Sequence, residues 1–152
     1  MSFTLDISRA CEAMKGNTDK AVRKVLLDLG ASLVLKSPVG NRDKWQENIY
    51  RASKGLPPTP AWYVGGRFKG NWQHGFGSAP VGELPDIDPS GGASMARITG
   101  GVAASPVAGI HYLANNLPYA QALEDGHSDQ APTGVLELTL IEFPGIVKRS
   151  QA

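Results

Sequence analysis

The stretch Asn17–Lys36, which reads NTDKAVRKVLLDLGASLVLK, decides the fold of this chain. Its apolar residues recur at intervals of three and four, the spacing that places side chains on one face of an α-helix. Those residues are Val22, Val25, Leu26, Leu29 and Leu33. Asn17 or Thr18 can accept hydrogen bonds from the free N–H groups at the helix start. Pro38 ends the helix, because the residue before a proline avoids helical geometry.

The sequence therefore predicts one long helix over about Asn17–Lys36. A shorter helix of about Asp6–Lys15 is predicted before it. Gly16 lies between the two patterns, and we expect it to separate the helices, since glycine is common just past a helix end.

Shorter elements are predicted downstream of the long helix. Asn71–Gly77 and Ile110–Ala114 alternate between apolar and polar residues, which is typical of half-buried strands. A weak helix is predicted over Ala93–Ala103. A short helix should begin at Pro118, which suits a first helical position, and should end before Gly126.

The last segment is ambiguous by pattern alone. Leu136, Leu138 and Leu140 alternate with polar residues, as in a strand, whereas Val135, Leu138 and Ile141 fit one face of a helix. Pro144 disfavours both a continuous helix and a central strand.

Length and composition restrict the class of protein. The chain has 152 residues, a formal net charge of +1 and one cysteine, Cys11. These values fit one domain, exclude an internal disulfide and cysteine-based metal cluster, and suit a reducing compartment. No apolar run approaches the roughly 20 residues of a membrane span. The polar N-terminus does not resemble a signal peptide, so we expect the protein to be made and used in the cytoplasm and to have no membrane partner.

A long connection, residues 38–70, holds the best functional candidates. Glycines and prolines punctuate it, and aromatic and basic residues are interleaved within it. The candidates for a protein interface are Arg42, Trp45, Tyr50, Arg51, Trp62, Tyr63, Arg67 and Phe68. Tryptophan, tyrosine and arginine are enriched at interfaces. The same residues could stack on single-stranded nucleic acid, and the tryptophans could instead complete a small core.

A search for catalytic chemistry gives no convincing site. His74 and His111 lie in predicted strands, where packing is the simpler interpretation, and His127 lies in a predicted turn. Asp86, Asp88 and Ser90 resemble the start of a calcium loop but lack the later bidentate glutamate. Cys11 is interpreted as a buried, inert thiol. We predict no catalytic, metal or cofactor site and no enzymatic activity.

Three stretches in fixed order carry a family resemblance. They are LKSPVG at residues 35–40, GRFKGNWQ at residues 66–73, and YLANNLPYA at residues 112–120, which is followed by LEDGHS at residues 123–128 and QAP at residues 130–132. Together they resemble the tail-component family of long-tailed bacteriophages, whose members are described as neck or tail-completion proteins.

The resemblance implies an α+β fold in one domain spanning residues 1–152. A small antiparallel sheet would pack against the long N-terminal helix and a C-terminal helix over Gly134–Val147. The usual family pattern lacks residues 41–65, so we expect a loop arm at about residues 39–69 that serves as a contact.

The resemblance also implies a structural virion protein. It would form a homo-oligomeric ring, six- or twelvefold, at the head–tail junction and would contact head-closure, tail terminator or tail tube proteins. Two alternatives stay open: a tail terminator that caps the tail tube, and a nucleic-acid-binding module that uses the basic aromatic segment 42–69. Specific nucleic-acid binding is not expected.

Overall fold

A computed structural model describes the backbone of residues 3–152 and the side chains of residue 12 and residues 14–152. The first element, α1, is one continuous helix, Phe3–Lys36. The predicted break at Gly16 is wrong, because one glycine costs a helix only about 1 kcal/mol relative to alanine and good helix formers precede it. Cys11, predicted to be a buried thiol, lies outside the residues whose side chains are described.

The remaining elements follow α1 in a simple order. A short 3-10 turn at Arg42–Lys44 is followed by α2 (Gln46–Ser53), α3 (Arg67–Gly70), β1 (Trp72–Phe76), α4 (Gly92–Ala104), β2 (His111–Asn115), α5 (Ala120–Glu124) and α6 (Val135–Ser150). β1 and β2 form an antiparallel two-stranded sheet in which Trp72 lies opposite Asn115. The predicted α+β class, both strands and the weak central helix are confirmed.

The two C-terminal helices, α5 and α6, lie close to their predicted positions. The last segment is a helix, as the resemblance implied, and it contains Pro144. The short helix begins at Ala120 rather than at Pro118. α5 ends before Gly126, as predicted: this glycine has φ +86°, in the left-handed region, and its N–H bonds to the carbonyl of Leu123 over 3.2 Å.

The hydrophobic core lies between α1, α4 and α6, and the sheet closes it through β1, which packs mainly on α4 rather than on the two terminal helices as predicted. Its buried apolar residues are Leu33, Val34, Phe68, Trp72, Ile98, Val102, Leu117, Ala131 and Val135. Gly30 allows α1 to approach α4 closely, because a Cβ at that position would lie 2.9 Å from Cγ2 of Ile98. The core draws on most of the chain but contains no residue from 41–64.

Glu124 fixes the start of α6. Its two carboxylate oxygens accept hydrogen bonds from the backbone N–H groups of Val135, Leu136 and Glu137, each at 3.0 Å. A carboxylate is favoured there because the first N–H groups of a helix have no internal partner and carry partial positive charge. Gly134 leaves room for this carboxylate, since a Cβ on it would lie 2.4 Å from Oε1.

Candidate protein-interaction site

The predicted loop is a folded projection. Its two ends meet at Gly40 and Gly65, where a Cβ on Gly65 would lie only 1.9 Å from the carbonyl oxygen of Gly40. The side chain of Gln130 fastens the base by bonding the backbone N–H and carbonyl of Val39 over 3.1 and 2.9 Å. We call residues 40–65 the arm. It is shorter than the predicted 39–69, because Arg67–Gly70 is the helix α3 of the body.

A buried asparagine holds the arm together. Asn48, on α2, is 2% exposed. Its Nδ2 donates to the carbonyls of Arg42 at 2.7 Å and Thr59 at 2.8 Å, and its Oδ1 accepts from the N–H of Thr59 at 2.8 Å. Because these bonds join the beginning of the arm to its returning segment, they close the arm on itself in the manner of a compact Ω-loop.

Two of the predicted interface arginines tie the arm internally. Nη1 of Arg42 donates to the carbonyls of Pro60, at 2.7 Å, and Ala61. Nε of Arg51 donates to the carbonyl of Pro57 at 2.9 Å. Their roles in the isolated chain are therefore structural, which the sequence pattern did not reveal. Both guanidinium groups keep their positive charge, so they contribute to the field of the arm.

Apolar side chains cover the outside of the arm. Trp62 is 80% exposed and Tyr50 60%, and both were predicted as interface residues. Trp45 is less exposed because its ring meets that of Tyr63 edge-on, with centroids 4.8 Å apart. Three exposed aliphatic residues were missed by the sequence analysis, namely Ile49, Leu56 and Val64. For Leu56 and Val64 the available signal was an apolar residue next to a glycine or proline.

The last two predicted interface residues belong to the body. Arg67 forms an ion pair with Glu83 at 2.9 Å. Phe68 is a core residue, whose ring lies edge-on to that of Trp72 at 5.8 Å, so its prediction as an interface residue is corrected. The ring of Tyr119 lies 6.4 Å from that of Phe68, and Tyr119 lines a shallow cleft together with Tyr63 of the arm. Burial raises the pKa of its hydroxyl, as do Tyr63 and Glu83, although Arg67 opposes the shift.

Two histidines that seemed unrelated in sequence form a pair on the sheet. Nε2 of His74 and Nδ1 of His111 are 3.0 Å apart, and Nε2 of His111 lies 3.2 Å from the carbonyl of Val107. Burial, and then the proximity of His111, lower the pKa of His74. Nε2 of His111 faces a carbonyl oxygen and must donate there, so in a neutral His111 ring Nδ1 accepts the N–H on Nε2 of His74.

The acidic loop before α4 caps that helix. Oδ2 of Asp88 accepts from the N–H of Ser94, and Oδ1 from that of Gly91, each at 2.9 Å. Burial opposes ionisation, but hydrogen bonds from Ser94, Ser90 and Gly91 prevail and lower the pKa of Asp88. Asp86 pairs with Arg97. Among the described side chains, no three His, Cys, Asp or Glu residues come together in a way that would hold a metal ion.

No protein-family model, no curated protein and no solved structure matches this chain. In the part of the chain that the structure describes, no helix combines the length and hydropathy needed to cross a bilayer.

Proposed function

We propose that this protein is a structural subunit of the neck or tail of a long-tailed bacteriophage, assembling as a ring at the head–tail junction to complete or join the tail. Assembly is its mechanism, through surface burial and charge complementarity, and no covalent bond is made or broken. The observation that carries the proposal is the arm, a closed projection that adds nothing to the described core and turns aromatic and aliphatic side chains outward.

The arm has the composition of an interface. Trp62, Tyr50 and Trp45 are exposed, and such residues supply most of the binding energy at protein interfaces. Six large apolar side chains between positions 45 and 64 are exposed, which is a large set for one short segment of a small monomer. The internal ties of Asn48 and Arg42 hold these side chains in place before contact, so less ordering entropy opposes association.

The charge distribution supports a contact between unlike surfaces. Residues 41–70 carry a net charge of +4, whereas residues 71–152 carry −5. Opposite charge on different parts of one chain favours head-to-tail association of copies, which closes into a ring when the rotation allows.

The arm is less suited to nucleic acid. Arg42 and Arg51 donate to backbone carbonyls of the arm itself, and Arg67 is paired with Glu83. Fewer donors are therefore left to bind phosphates. A nucleic-acid-binding module would show affinity that falls steeply as salt is raised, and we expect no such binding by the isolated protein at low salt.

The proposal is tested by removing residues 43–63 in the phage that encodes the chain. The ends of the arm meet at Gly40 and Gly65, so the shortened chain should fold as the parent does. We expect it to be absent from purified particles and to abolish infectivity. A second variant, Trp62→Glu, should do the same, whereas Val81→Glu, at an equally exposed apolar residue outside the arm, should not. Infectious particles that contain the shortened chain would refute the assembly role of the arm.

A further inference from the structure

Helix α6 has apolar side chains on more than one side. Val135 and Ile146 are buried against the body. Leu136, Leu140 and Phe143, at helical spacings of four and three residues, form a second row that is 47%, 59% and 41% exposed. We call these three residues the α6 stripe. A surface helix normally presents polar residues outside its core-facing side, so a further exposed apolar row is a candidate contact surface.

The α6 stripe and the arm do not cover each other within one chain. Both remain exposed in the folded protein, although each carries large apolar side chains that water solvates poorly. Two different uncovered surfaces on one chain are the requirement for a heterologous contact, in which one surface of a copy meets the other surface of its neighbour.

The net charges near the two surfaces are of opposite sign. The arm has four basic and two acidic side chains, a net charge of +2, and its Lys44 and Lys54 take no part in the ion pairs found among the described side chains. Two acids that those ion pairs also leave out lie near the N-terminal end of the α6 stripe, Glu137 on α6 and Asp129 in the loop before it, whereas the basic Lys148 and Arg149 lie in the last turn of α6. The charges of the two lysines of the arm and of these two acids are thus available to orient an approaching copy.

We infer that the arm of one copy packs on the α6 stripe of a second copy. This inference rests on the proposed function, since it names the partner of the arm. Each copy would give its arm to one neighbour and receive the arm of another on α6, so that association proceeds in one direction around a ring. Trp62 and Ile49 would lie against Leu140 and Phe143, with the lysines of the arm near Glu137.

The test uses two single variants of the full chain. Trp62→Glu disables the arm and leaves the α6 stripe intact, whereas Leu140→Glu does the opposite. Both positions are exposed, so neither substitution should unfold the monomer, and Phe143→Glu provides a second stripe variant. Val81→Glu is the control. Association is measured by sedimentation velocity from micromolar to near-millimolar concentration.

We expect the parent chain and Val81→Glu to associate, and each disabled variant to associate at least about tenfold more weakly, because a central apolar contact is lost. The decisive sample is the mixture of Trp62→Glu with Leu140→Glu. It retains one working arm and one working α6 stripe, so it should form a one-to-one heterodimer that does not grow further.

Three results would overturn the inference. They are a mixture that gives no heterodimer, a stripe variant that associates like the parent, and a parent chain that stays monomeric throughout. In each of these cases the role of the arm in the particle is judged separately, from whether the chain lacking residues 43–63 enters phage.

Discussion

The indole N–H of Trp72 donates a 2.7 Å hydrogen bond to the hydroxyl of Ser37, just beyond the end of α1. The same hydroxyl donates to the carbonyl of Leu33, also at 2.7 Å. Trp72 and Ser37 are both buried, so this chain of bonds satisfies polar groups that would otherwise be left without partners. It ties β1 to the long helix and positions the segment from which the arm begins.

Replacing Ser37 by alanine should therefore destabilise the protein. The indole N–H would be left buried without an acceptor, which costs about 1–3 kcal/mol of unfolding free energy. Urea denaturation followed by tryptophan fluorescence measures the change. Ser53→Ala is the matched control, because the Ser53 hydroxyl bonds a carbonyl at an exposed site, and its loss should stay within about 0.5 kcal/mol. Equal effects of the two substitutions would contradict this interpretation.

Glu124→Gln should weaken the cap of α6. An amide offers one oxygen where the carboxylate offers two, and it loses the favourable charge at the helix start, so we expect a loss of about 1–2 kcal/mol. Glu83→Gln removes an acid from an exposed ion pair with Arg67 and should cost less than about 1 kcal/mol. If the free energy of unfolding of Glu124→Gln equalled that of the parent, the cap would not matter.

Two glycines in helices should respond to alanine in opposite directions. Gly30→Ala places a Cβ 2.9 Å from the buried, β-branched Ile98, and the overpacking should lower stability by about 1–2 kcal/mol. Gly100→Ala meets open space within α4 and should raise stability by up to about 1 kcal/mol through better helix propensity. Thermal unfolding of both variants measures the two changes in stability. A Gly30→Ala variant more stable than the parent would contradict the close approach of α1 and α4.

The His74–His111 pair should make stability depend on mildly acidic pH. The pKa of His74 is lowered in the folded state from its ordinary 6.5, so the unfolded chain binds more protons below that pH. Burial and, after it, the neighbouring His111 lower this pKa, so the contribution of His74 is present above pH 6.5 and lost as the pH falls towards its lower folded-state pKa. In His74→Gln the free energy of unfolding should change less between pH 6.5 and 5 than in the parent. In His127→Gln it should change with pH as much as in the parent. An unchanged slope in His74→Gln would exclude the pair as its cause.

Local patterns predicted most of the secondary structure of this chain. Spacing between neighbouring residues was enough to predict a helix over Val22–Leu33 and a strand around Trp72. Both elements form where predicted. The continuity of α1 through Gly16 could not be read in the same way, because one glycine is a weak signal that the surrounding turns outweigh.

The hydrogen bonds inside the arm could not be predicted from local sequence patterns. Asn48 bonds Thr59, eleven residues away, and Arg42 bonds Pro60, so the order of the arm depends on contacts between separated residues. For the same reason Phe68 was assigned to the interface although it belongs to the core. The α6 stripe could not be predicted from the sequence pattern. Apolar residues on several sides of a helix also produce the alternation expected of a strand, so the pattern of the last segment did not show which residues would be exposed.

The proposed role in completing or joining the tail at the phage neck is tested by disrupting the gene and examining the lysate by negative-stain electron microscopy. We predict filled heads beside separate tails of normal length, restored to complete particles by the parent gene but not by the copy that lacks residues 43–63. Overlong tails would instead indicate a tail terminator. Normal infectious particles in the disrupted strain would show that the protein is not needed to complete or join the tail.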